Sequence, residues 1–136
     1  MIRNILGAIV GLIAGALING ALINLGHYVV PLPPGTNVDT MEALKVAMQS
    51  FGPEQFVFPF LAHAIGTFAG ALVATVIAVS HKMTIAMVIG VLFLIGGITA
   101  EIMIQSPVWY NAIDFLLAYI PFAWVGAKLG GAGRSA

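Results

Sequence analysis

The chain has 136 residues, of which 60% are hydrophobic and 7% charged, whereas soluble domains run at roughly half and a quarter. Five Lys and Arg balance five Asp and Glu, so no net charge points to nucleic acid or an acidic partner, and the lack of cysteine excludes disulfides, thiolate metal sites and thiol catalysis. This composition predicts an all-α integral membrane protein with one membrane domain over 1–136 and a core of helix-on-helix contact in lipid.

The first span is expected from about Ile5 to Leu25, long enough at 1.5 Å per residue for the roughly 30 Å hydrocarbon core. It is read as a retained helix, because the apolar run is long and leads into His27, Tyr28 and a proline cluster, not into a cleavage site. Gly7, Gly11 and Gly15 recur every fourth residue and form a face for close helix packing, which Asn19 continues. Residues 26–55 form the one long loop. Its segment VVPLPPG, stiffened by proline, leads to a short amphipathic helix over about 40–51, with Asp39 as N-cap and Glu42 completing a capping box. Met41, Leu44, Met48 and Phe51 share its apolar face, which is expected to lie on the bilayer surface as an anchor and not over a pocket as a lid.

The second span, about 56–79, carries Ala62, Gly66, Gly70, Ala74 and Ala78 on one ridge, with His63 beside its start and Thr67 four residues on. The third, about 83–104, sets Ala86, Gly90, Gly97 and Glu101 in one stripe. In the fourth, about 108–129, Ser106 and Pro107 read as N-cap and first-turn proline, and Trp109, Tyr110, Trp124 and Lys128 read as interfacial anchors. Pro121 cannot bond the Leu117 carbonyl and predicts a kink. Residues 130–136 are expected to be a cytoplasmic tail without regular structure. Arg3, Lys82, Lys128 and Arg134 flank one side of the four spans and only Lys45 the other, so both termini are expected in the cytoplasm of a multi-pass inner-membrane protein.

With that topology Asn19, His63, Glu101 and Asp114 fall at about 5 to 11 Å below the outer ends of their spans and form the candidate intramembrane polar cluster. Ionised carboxylates at such depth cost on the order of 2.5 to 3.5 kcal/mol and call for a partner, for which His63 is the natural choice. Three readings of the layer compete. It is a hydrogen-bonded latch that fixes helix register, a route for a solute, ion or proton, or a metal or haem site built on His63 with carboxylates or with His27. No Ser-His-Asp set, no H-E-x-x-H and no phosphate-cradling loop is present, so no catalytic residues, enzyme activity, metal or cofactor is expected.

Two families of this size do not fit. Small multidrug exporters rely on a carboxylate in the first helix, where this chain has none, and the pattern of small fluoride channels is missing. Over most of its length, in PLPPG, FVFPFLAHAIGTFAGA and SHKM, the chain resembles small four-span inner-membrane proteins that bacterial genomes label hypothetical. That resemblance implies an architecture and no activity. The sequence reading is therefore a four-transmembrane-helix bundle with a structural, accessory or complex-forming role, lipid as its first partner, and self-association or a larger membrane complex suggested by the surplus of small-residue faces. Transport through the polar cluster is the alternative.

Overall fold

The computed structural model describes residues 1–133, so Arg134 and the end of the expected tail lie outside the described residues. Six helices follow in order: α1 (Ile2–Val29), α2 (Met41–Met48), α3 (Pro53–Ile77), α4 (Lys82–Ile104), α5 (Val108–Leu117) and α6 (Ile120–Leu129). Four segments, with α5 and α6 together as the last, are long and apolar enough to cross a membrane. On α1 the residues Ile5, Leu6, Ile9, Ile13 and Leu17 are each at least half exposed, and comparable apolar surface covers α4 and α5. Such exposed apolar surface is unusual for a protein in water, and four helices of this length and apolarity are compatible with a multi-pass membrane protein.

α3 is the central element, and small residues decide how its neighbours approach. A Cβ added at Gly7 would stand 2.7 Å from the Ala74 carbonyl oxygen, at Gly11 2.5 Å from that of Gly70, and at Gly15 2.7 Å from that of Gly66. The reverse contacts hold as well, since a Cβ at Gly66 or Gly70 would reach the Gly15 or Gly11 carbonyl at 2.9 Å. The two ridges are therefore packed on each other in antiparallel register, residue by residue at four-residue steps, with backbone against backbone. On its other sides α3 receives α6, where a Cβ at Gly126 would meet the Phe68 carbonyl at 2.5 Å. Ala71, Ala86, Ala123 and Ala127 close that contact with Met83 and Met87 at its edge. At the far end from the long loop, the Asn4 amide donates to Ser80 Oγ at 2.8 Å and accepts from the Val79 N–H at 3.1 Å, which ties the start of α1 to the α3–α4 turn.

Local chemistry differs from expectation at three helix starts. α2 is capped by Thr40, whose hydroxyl accepts from the Ala43 N–H at 3.1 Å, because Asn37 takes the Asp39 N–H into its own side-chain turn at 2.8 Å and removes Asp39 from the capping position. α3 starts at Pro53, three residues before the expected span, because a proline at the first helical position loses nothing and the Gln55 side chain accepts from the Gly52 N–H at 2.8 Å. α5 starts after Pro107, so Ser106 is not its cap; the Ser106 carbonyl instead accepts from the Asn111 side chain at 3.2 Å. In the loop, the Thr36 N–H bonds the Pro33 carbonyl across Pro34 and Gly35, and Gly35 takes φ +80°, which its missing Cβ permits at that position of the turn.

The fourth span is interrupted next to Pro121. α5 ends at Leu117 and α6 begins at Ile120 with Pro121 in its first turn, and the missing N–H of Pro121 coincides with a distorted turn at Ala118 and Tyr119, which keep right-handed helical dihedrals.

Candidate functional site

Glycine and alanine faces draw α1, α3, α4 and α5 together at the end of the bundle that carries the long loop, and larger side chains there leave a cavity of about 430 Å³. Its floor holds His63 and Asp114. His63 Nδ1 lies 2.9 Å from each Asp114 carboxylate oxygen, and the Tyr119 hydroxyl donates to Asp114 Oδ2 at 2.9 Å. The Asp114 side chain is 2% exposed, so its carboxyl group is met by hydrogen bonds and not by water. With Nδ1–H donated to a carboxylate, Nε2 of His63 is left without a protein partner on a ring that borders the cavity.

On a regular α-helix residues five apart point about 140° away from each other; here the distorted turn at Ala118 and Tyr119 accompanies the contact between Tyr119 and Asp114. The ring then lies stacked on His63, with centroids 5.5 Å apart. Gly97 on α4 makes room for it, since a Cβ there would collide with the Tyr119 hydroxyl. Sequence reasoning missed Tyr119, although the proline two residues after it was the available signal.

Glu101 stands on the cavity wall with His63 and Asp114 and has no hydrogen bond or ionic partner among the described residues. Asn19 is elsewhere. It borders a second crevice of about 460 Å³ between α1 and α4, which shares only Ile23, His63, Gly97 and Ala100 with the first. Counted along their own helices, Asn19 and His63 stand about 15 Å from the loop-side end, Asp114 about 9 Å and Glu101 about 5 Å, but these ends are not level, since His63 and Asp114 are in hydrogen-bond contact. The expected layer is thus a bonded His63–Asp114 pair, a free carboxylate on the same wall, and an amide in the adjoining crevice.

One further side chain and one helix are not where sequence reasoning set them. Tyr110, read as an interfacial anchor, is 6% exposed, packs against Phe56 with ring centroids 4.7 Å apart, and borders the cavity, while its hydroxyl is enclosed by protein and makes no hydrogen bond. It lies close to Asp114, but not in bonding geometry. α2, read as a surface anchor, turns Leu44, Met48 and the following Phe51 onto the cavity and covers it. The Gln49 side chain pins this cover by donating to the Gln105 carbonyl at the end of α4, at 2.5 Å. Thr67, one turn after His63, is fully buried and its hydroxyl is also unbonded.

No family model, curated protein or solved structure matches this chain. The geometry of the site therefore carries the functional argument by itself. Among the described residues no three of His, Asp and Glu converge as a metal-binding group, so the metal reading gains nothing from the fold. His27 and His63 do border the same cavity.

Proposed function

We propose that this protein is a bilayer-spanning transport protein that takes a small solute into the cavity beneath α2, with the His63–Asp114 pair at the inner end of the path. One observation carries this reading: a cavity of about 430 Å³, within the usual range for small-ligand sites, extends from the α2 cover down to a titratable pair. A purely structural latch needs only the His63–Asp114–Tyr119 contacts. It gives no reason for a Glu101 side chain without a partner on the cavity wall.

The accessory reading rested on small-residue faces left for a partner. The glycine ridges of α1 and α3 are occupied by each other, which weakens that motive. The positive-inside distribution of Lys and Arg supports an orientation with both termini in the cytoplasm and the covered cavity facing outward in an inner membrane.

The absence of cysteine makes the test clean. Asn111→Cys, on the cavity wall, is expected to react with a small membrane-impermeant thiosulfonate added outside, and proteoliposomes of the parent protein are expected to pass protons faster than empty liposomes, with His63→Ala and Asp114→Asn abolishing the excess. A cysteine that reacts only after denaturation, with proton flux equal to that of empty liposomes, overturns the reading.

A further inference from the structure

The wall of the cavity specifies the solute more narrowly than its volume does. No Lys or Arg borders it, and its two carboxylates are not equivalent. Asp114 is held by His63 and Tyr119, whereas Glu101 is unpaired among the described residues. Glu101, partly exposed, is the one carboxylate on the wall without a side-chain partner among the described residues, and a single cation offsets the cost of bringing a ligand against it in a mostly apolar space. An anion would add to the cost. A bare metal ion would want several oxygen ligands converging on it, and no such group exists among the described residues.

The remainder of the wall is mostly apolar and strongly aromatic, with Phe51, Phe56, Phe58 and Phe115 beside Tyr110. Phe51, Phe56 and Tyr110 form a contiguous ring set with centroid separations of 6.2 and 4.7 Å. Aromatic faces attract weakly hydrated organic cations and bury their hydrocarbon parts at the same time. Tyr110 contributes its ring to this wall, while its hydroxyl is enclosed by protein.

We propose that the cavity binds an organic monocation with an apolar body, a protonated amine whose positive centre pairs with Glu101 and whose hydrocarbon part lies against the Phe51, Phe56 and Tyr110 rings. This rests on the solute-binding reading of the cavity and names its substrate class. The crevice between α1 and α4 gives such an amphiphile a way in from the lipid, since it adjoins the cavity across His63 and Gly97 and its wall at Gly96 is open space.

Three benzyl compounds of one shape test the charge. Benzyldimethylammonium, its neutral isostere isobutylbenzene and the anion phenylacetate are titrated into the full chain in nanodiscs, with empty nanodiscs subtracted. The cation is expected to bind about tenfold or more tighter than the hydrocarbon, the difference vanishing in Glu101→Gln, and phenylacetate is expected not to bind. If isobutylbenzene or phenylacetate binds as well as the cation, the assignment to cations is overturned while the solute cavity stands. If none of the three binds to the folded protein, both fall.

Discussion

His63 on α3 holds Asp114 on α5 through Nδ1, 2.9 Å from both carboxylate oxygens, across 51 residues of sequence. Asp114→Ala leaves an imidazole N–H and the Tyr119 hydroxyl unpaired in a buried site, and is expected to lower stability by about 2 to 4 kcal/mol. Asp114→Asn keeps an acceptor and is expected to lose less. Unfolding by SDS in mixed micelles measures both; an alanine variant as stable as the parent would show that the pair does not hold α5 to α3.

Gly97 and Tyr119 act together. Gly97→Ala drives a methyl into the Tyr119 hydroxyl and is expected to cost about 1 to 3 kcal/mol by overpacking and loss of the Asp114 bond. In a Tyr119→Leu background the same change should cost nothing, since the obstructing ring is gone. A double-mutant cycle with additive effects would mean that the two residues do not share this space.

Backbone contact between α1 and α3 separates two glycines of α1. Gly11→Ala sets a Cβ against the Gly70 carbonyl, whereas Gly20→Ala meets nothing within 4 Å. The first is expected to destabilise by about 1 to 3 kcal/mol and the second to be neutral or to stabilise by up to about 1 kcal/mol through helix propensity. Gly70→Leu should prevent the helix pair from forming. Thermal unfolding in detergent that ranked Gly11→Ala level with Gly20→Ala would contradict the register described.

The cover over the cavity depends on the cap of α2. Thr40→Ala is expected to remove about 1 kcal/mol from that helix and to speed hydrogen exchange over 41–48, while Asp39→Ala leaves exchange unchanged. The opposite ranking would restore Asp39 as the cap.

Topology is checked with single cysteines. Asn37→Cys should be labelled by an impermeant maleimide on intact cells, and His81→Cys only after permeabilisation. Labelling of His81→Cys from outside would invert the proposed orientation.

Much of the architecture was legible because it is written in local patterns. Four apolar runs, the four-residue spacing of Gly7, Gly11 and Gly15, and the ridge from Ala62 to Ala74 require only helical periodicity to be seen. His63 and Asp114 stood out as ionisable groups inside apolar runs. Helix starts were less legible, since Asp39 and Thr40 are both good caps and only the competing Asn37 side chain decides between them.

By itself the sequence determined that this is a bundle of long apolar helices with close-packing faces, because those properties belong to single helices. Only the tertiary structure decided that the ridges of α1 and α3 pack on each other, that Tyr119 turns back onto Asp114, that α2 is a cover, and that Glu101 stands apart from the bonded pair. The physical reason is the uniform apolarity of the helices. A soluble helix shows its rotation by a polar face, but these helices are apolar all round, so the rotation that brings polar groups together is set by backbone contact at glycine and accompanied by the distorted turn before Pro121.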